Sequence, residues 1–171
     1  MVDDHNRKMH LGHGYSLHVT LARPTSRGEV KLADTDPHSA LKIDPRYFSA
    51  HEDMSTLMAG THKALAIMNA PPLAPYRGKL LYPFDAENPA ELERDIRRSS
   101  DTEYHPCGTC RMGPADDPLA VVDNELCVRG IAGLRVADAS IMPQLTAGNT
   151  NAPTIMIGEK AVDLIRTAAA A

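Results

Sequence analysis

The chain has 171 residues, of which 43% are hydrophobic, and this is enough to bury the core of one ordinary domain. Its formal net charge of -4 excludes a general electrostatic attraction to nucleic acids or anionic membranes. Three cysteines, an odd number, argue against the fully paired disulfide framework of a small secreted domain. We therefore predict a cytoplasmic protein that acts on a small molecule.

The first predicted elements are strands. Residues 1–13 are polar and rich in histidine, and we predict a flexible lead-in there. Apolar and polar residues alternate over residues 15–21, which predicts a half-buried strand. A turn at Gly28, where glycine would supply an unusual backbone angle, leads to a second predicted strand over 29–32, so the two should form an antiparallel hairpin. The segment 34–45, rich in Asp and Pro, predicts a loop that contains extended pieces.

Two helices are predicted in the middle of the chain. The sequence Ser49-Ala50-His51-Glu52 is typical of a capping box, and apolar residues then recur on one face up to Met68. A proline cluster over 71–75 ends this helix. Asn88 followed by proline gives a second start signal, which predicts a short charged helix over residues 89–99.

The C-terminal part predicts short strands near 120–122 and 126–128, and then a buried strand over 133–138. A loop rich in Gly, Asn and Thr over 146–151 precedes a predicted helix of about Pro153–Thr167. Charged residues within that helix make a membrane-spanning segment unfavourable. The order of strands, helices and a final strand–loop–helix unit predicts the α+β class.

His105 is the main candidate for chemistry. It lies in a loop that Pro106 and Gly108 restrict directly after it, so backbone geometry positions this side chain and not a periodic helix or strand face. Loops of this kind often carry catalytic groups. An imidazole can accept a proton near neutral pH. Because the chain has eight histidines, composition alone favours the plainer alternative of a surface histidine with one hydrogen bond.

The cysteines invite a metal or redox interpretation. Cys107 and Cys110 form a C-x-x-C sequence, and a zinc site could be built from them with His105 and Cys127. A second short-spaced ligand pair is missing, and a redox dithiol would open a helix after a strand. Two ordinary thiols, at least one of them buried and with no bound metal, are therefore the better prediction.

Two further segments contain groups that hold nucleotides in other proteins. Asp138 ends the predicted strand 133–138, and the run Asn149-Thr150-Asn151 precedes a helix. Each has a plain alternative, since Asp138 could be a turn residue and Asn151 a helix cap. The G-x-G-x-x-G fingerprint is absent from the sequence, so a dinucleotide site would not be complete in this chain.

Five sequence segments occur in the order found in the glucose–methanol–choline (GMC) family of flavin oxidoreductases, over roughly residues 14–168. The chain resembles this family, and most closely its choline-dehydrogenase-like bacterial members. The segments that carry the resemblance are Arg23–Gly28, Ile43–Tyr47, Tyr104–Gly113, Leu134–Pro143 and Gly148–Lys160.

The resemblance implies an enzyme that oxidises the CH-OH group of a small alcohol, either choline-like or another primary alcohol. His105 would be the general base that takes the hydroxyl proton while hydride passes to N5 of FAD. Asn151 would be the second catalytic residue and would bond the substrate oxygen. The positions that would lie against FAD are Asp138, Ala139, Ala152, Pro153 and Thr154.

The resemblance also implies a division of the chain. Residues 14–118 would form part of a substrate domain, an antiparallel sheet with flanking helices and the catalytic loop. Residues 119–171 would return to pack on an N-terminal FAD-binding portion that is absent from this chain. Their C-terminal strand–loop–helix would complete the dinucleotide-binding domain. FAD would bind only with that portion, so the chain alone should be inactive and self-associate through exposed apolar surface. The alternative is a non-catalytic module that binds a small ligand or a protein.

Overall fold

The computed structural model describes residues 2–3, 8–9 and 12–170, so much of the predicted lead-in over residues 1–13 lies outside the described residues. The coarse α+β prediction is confirmed within them. Two small antiparallel strand pairs form, β1 with β2 and β3 with β4, and three α-helices follow. The bounds are β1 Val2–Asp3, β2 Lys8–Met9, β3 Glu29–Lys31, β4 Lys42–Asp44, α1 His51–Met68, α2 Pro89–Ser99 and α3 Asn151–Ala169, with 3-10 turns at Pro71–Tyr76 and Ala139–Ile141.

The predicted hairpin is wrong in its pairing. Strand β3 pairs with β4 in the register Val30↔Ile43, and residues 15–21 form no strand. Gly28 does not need a positive φ here. It needs to lack a side chain, because a Cβ would come 2.3 Å from the backbone oxygen of Asp44. A glycine is needed at position 28 because the backbone at the end of β4 passes so close to it.

One compact unit comprises the chain up to Leu21 and residues 47–103. Its core lies between α1 and α2, and the alternation over 15–21 buries Val19 and Leu21 in part against these helices, where no sheet is needed. Burying one such side chain fully stabilises the fold by about 1.5–3 kcal/mol. The buried core residues are Met54, Leu57, Leu92 and Ile96.

Both predicted helices of this unit are confirmed. Of their two predicted N-terminal caps, only the one at α2 is confirmed. Helix α1 begins after Ala50 without a side-chain cap, so the capping box that assigned this role to Ser49 is wrong. Helix α2 is capped by Asn88, whose Oδ1 accepts hydrogen bonds from the amides of Ala90 and Glu91. A side-chain cap of this kind satisfies amides that lack intrahelical partners.

The second unit comprises residues 22–46 and 104–171. Its core packs one face of α3 against the preceding loops, and it contains Val122, Leu126, Ile141, Met142, Ile157 and Ala161. The strands predicted near 120–122, 126–128 and 133–138 are reduced to isolated bridges, because positive φ angles at Leu126, Gly130 and Gly133 break the extended chain. The predicted helix near Pro153 is confirmed, with slightly wider bounds. The predicted division of the chain at residue 118 stays a prediction.

No helix within the described residues is both long and apolar enough to span a bilayer.

Candidate active site

The loop that carries His105 is attached by its backbone to the 3-10 turn Ala139–Ile141. The amide of Gly108 donates to the carbonyl of Ala139 at 3.4 Å. The amide of Cys110 donates to Ser140 at 2.9 Å, and that of Met112 donates to Ile141 at 2.7 Å. These bonds hold the loop in place through main-chain atoms alone.

The backbone around His105 is restricted on both sides. Tyr104 has a φ of 60°, which is uncommon for a residue with a side chain. Pro106 disfavours the helical conformation for His105 itself. Gly108 has a φ of 88°, and a Cβ there would lie 3.2 Å from the carbonyl oxygen of Met142. Few other conformations are therefore open to the segment that presents the imidazole.

Both nitrogens of the half-buried His105 ring have hydrogen-bond partners at the start of α3. Nε2 lies 2.9 Å from Nδ2 of Asn149, and Nδ1 lies 3.3 Å from Oγ1 of Thr150. Both contacts join residues more than 40 positions apart in sequence. The loop histidine and the start of α3 thus form one site.

The structure places Asn151 beside this pair of contacts, as the exposed first residue of α3. Among the described residues, the hydrogen-bond partners of the His105 ring are Asn149 and Thr150 and not Asn151. The sequence pattern pointed to no contact of either Asn149 or Thr150 with His105, and it placed both residues only before a helix. The catalytic role of Asn151 stays a prediction.

The residues predicted to lie against FAD fall into two groups in the second unit. Asp138 is exposed and caps the 3-10 turn, its Oδ1 accepting from the amide of Ser140 at 2.8 Å. Hydrogen bonds from the side chain and backbone of Ser140 lower the pKa of the Asp138 carboxyl. Ala139 packs partly on the core. The other three residues, Ala152, Pro153 and Thr154, form the first turn of α3.

The three cysteines are free thiols, and each is half-buried. Burial raises the pKa of the Cys107 thiol, which favours its unreactive protonated form. In the part of the chain that the structure describes, His, Cys, Asp and Glu side chains form no group of three or more suited to a metal ion.

Comparison with known proteins identifies the family. The sequence model of the family described as GMC oxidoreductase matches residues 24–158 of this chain. The chain belongs to the GMC oxidoreductase family. Members of the family are FAD-dependent oxidoreductases, and the matched region is their C-terminal segment.

Curated relatives and solved structures agree with this assignment. The chain is 48% identical over 163 residues to the alcohol dehydrogenase (acceptor) of Pseudomonas putida, covering 95% of this chain and 29% of the relative. It is 46% identical to an oxygen-dependent choline dehydrogenase of Klebsiella pneumoniae, covering 90% of this chain and 28% of that protein. The crystal structure of pyridoxine 4-oxidase from Mesorbium loti matches with a TM-score of 0.77 at 39% identity, covering 83% of this chain and 28% of that one. The chain thus spans less than a third of the length of these GMC proteins.

Proposed function

We propose that this chain is the catalytic C-terminal part of an FAD-dependent oxidoreductase that oxidises the CH-OH group of a small alcohol. The observation that carries the proposal is the His105 ring, held by both nitrogens at the start of α3. The names of the relatives, alcohol and choline dehydrogenases, support an alcohol as the substrate class. On composition we also propose a cytoplasmic location.

His105 would act as the general base. Oxidation of an alcohol requires that the hydroxyl proton leave as the C–H bond breaks, and a positioned base accelerates such a step by about 10²–10⁴-fold. The substrate hydroxyl would take the place of the Asn149 amide at Nε2 and pass its proton to that nitrogen. Asn151, exposed and neutral, would hydrogen-bond the alcohol oxygen without competing for the proton.

A flavin that accepts hydride gains negative charge at one edge, and the start of α3 carries groups that favour such charge. The amides of Asn151 and Ala152 have no partner within the helix, and no acidic residue lies in its first turn. These amides favour negative charge close to the helix start. The small exposed side chain of Ala152 leaves room for a flat ring. Bound there, the flavin would accept the hydride at N5.

The remaining predicted positions would complete this contact. Pro153 and Thr154 shape the first turn of α3, and Thr154 is fixed by its own hydrogen bonds to the carbonyl of Thr150. Hydrogen bonds with Ser140 lower the pKa of Asp138, and its ionised carboxylate would accept hydrogen bonds from ribose hydroxyls. The sequence lacks the glycine fingerprint for the pyrophosphate, so FAD binding would also need the N-terminal portion found in the relatives.

We propose that this portion covers an apolar surface on α3, which we call the α3 surface. Its residues are between 44% and 58% exposed in this chain, they lie on one face of the helix, and they are Ile155, Val162 and Ile165. Exposed apolar side chains clustered on one helix mark a packing or interaction surface. In the chain alone, the α3 surface should cause self-association.

The test is a chimera in which the N-terminal part of the Pseudomonas putida relative is fused to this chain. The chimera should retain flavin, seen by its visible absorbance, and should oxidise choline or another primary alcohol with an artificial electron acceptor. His105→Ala should lower kcat/KM by about 10²–10⁴-fold at unchanged flavin content. His62→Ala, an exposed histidine on α1, is the matched control and should leave kcat/KM unchanged.

A loss of only a few-fold in His105→Ala would contradict the assigned base. A chimera that folds and binds small ligands but never retains flavin would instead favour the non-catalytic module.

A further inference from the structure

The two hydrogen bonds to the His105 ring are chemically different. Nδ2 of Asn149 is an amide nitrogen and can only donate, whereas Oγ1 of Thr150 can donate or accept. Nε2 must therefore be the acceptor in its contact of 2.9 Å with Asn149. A neutral imidazole carries one proton, so that proton lies on Nδ1 and is donated to Oγ1 of Thr150, 3.3 Å away.

Thr150 is well suited to hold this proton in one place. It is only 9% exposed, while most residues of the surrounding loop are exposed. Its carbonyl accepts from the amide of Thr154 at 3.0 Å and from Oγ1 of Thr154 at 2.6 Å, which fixes its backbone to the first turn of α3. A β-branched side chain has few χ1 rotamers, so the hydroxyl has little freedom once the backbone is fixed.

Asn149 differs from Thr150 in its surroundings. It is exposed, and an exposed amide can be displaced from Nε2 by another donor at small cost. The ring thus has a fixed partner on Nδ1 and an exchangeable partner on Nε2. An incoming hydroxyl group, which also donates, could replace the Asn149 amide without any change of tautomer.

We propose that Thr150 is a positioning residue that holds neutral His105 as the Nδ1–H tautomer, so that Nε2 is the nitrogen that accepts a proton. This role depends on the buried hydroxyl at the start of α3 and not on flavin or substrate. Its catalytic consequence rests on the proposed function, because only a base that takes the alcohol proton needs a free lone pair on Nε2.

The tautomer can be measured directly in this chain by long-range ¹H–¹⁵N NMR of the labelled histidine ring, at about pH 8, where an ordinary imidazole is neutral. In the wild-type chain Nδ1 should give the shift of a protonated nitrogen and Nε2 that of an unprotonated one. Thr150→Val keeps the branched shape and removes the acceptor. It should shift the tautomer ratio towards Nε2–H by roughly 3- to 10-fold, the effect of one neutral hydrogen bond.

Two controls separate this role from a general effect on folding. Thr150→Ser restores a hydroxyl and should return the ratio to within about 2-fold of wild type, by the same hydrogen bond. Thr167→Val makes the same substitution further along α3, where the hydroxyl donates to the carbonyl of Asp163, and should leave the His105 signals unchanged. A wild-type ring in the Nε2–H form, or a Thr150→Val ratio equal to that of wild type, would overturn the proposal.

Kinetic measurements on the chimera provide an independent test. Thr150→Val should lower kcat/KM by about 3- to 10-fold, and Thr150→Ser should restore it. If the NMR result holds and kcat/KM does not change, the positioning role stands and the assignment of His105 as base fails. If the NMR result fails and His105→Ala still abolishes turnover, the proposed function stands and the role of Thr150 is wrong.

Discussion

Gly108 and Met142 approach so closely that a Cβ on the glycine would lie 3.2 Å from the methionine carbonyl oxygen. The glycine has a φ of 88° as well, so a side chain there is opposed by both backbone conformation and contact. This pair of residues lies where the His105 loop meets the buried core of the second unit. The position of His105 thus depends on a residue that has no side chain.

Gly108→Ala should therefore lower the free energy of unfolding by about 1–2 kcal/mol, the cost of a left-handed conformation for alanine. Urea denaturation of the chain measures this. Gly158→Ala is the matched control, because that glycine lies in α3 with no atom within 4 Å of its ideal Cβ. There the substitution should stabilise by about 0.5–1 kcal/mol, since alanine favours a helix. Equal effects in the two variants would contradict the predicted strain.

Asn88→Ala should destabilise the chain by about 1 kcal/mol, because the variant loses the side chain that caps α2. Ser49→Ala should change the free energy of unfolding by less than about 0.5 kcal/mol, as for a surface substitution that breaks no cap. Denaturant titration of both variants compares the observed cap with the one that sequence pattern suggested. A larger effect at Ser49 than at Asn88 would show that the cap assignments are reversed.

Asp138→Asn should reduce stability in a pH-dependent way. The folded pKa of Asp138 is lowered by its hydrogen bonds with Ser140, so its ionised form stabilises the fold. That contribution is fully present above the unfolded pKa of about 3.9 and is lost as pH falls through the lowered folded pKa. Thermal melts should show wild type more stable than the variant at pH 7. The difference should shrink at about pH 3, and a constant difference would exclude ionisation as its cause.

Val162→Asp should prevent the N-terminal portion from packing on the α3 surface. The side chain of Val162 is 44% exposed in this chain, so the stability of the chain alone should change by less than about 0.5 kcal/mol. In the chimera the buried carboxylate should cause loss of flavin, measured by absorbance after gel filtration. Leu32→Asp, at a side chain that is 74% exposed outside α3, serves as the control. Flavin loss in both variants, or in neither, would argue against the α3 surface.

The elements that sequence predicted well are those with a local cause. Helix α2 follows from Asn88 and its charged and apolar faces, and α1 from its apolar spacing. The pairing of residues 15–21 failed because alternating apolar residues fit a helix surface as well as a sheet, and Val19 packs against α1 and α2. Thr150 could not be predicted, since a threonine hydroxyl that bonds a ring 45 residues away leaves no local pattern.

The hydrogen bonds between residues 108–112 and 139–141 have a wider consequence. They join the segment that carries the proposed proton acceptor to the segment proposed to touch the hydride acceptor, and they use peptide groups only. Apart from Gly108, where any side chain would be strained, residues in either segment can then vary without altering the separation of the two reacting partners. Such a protein could therefore change the substrate it prefers without changing the distance between its proton acceptor and its hydride acceptor.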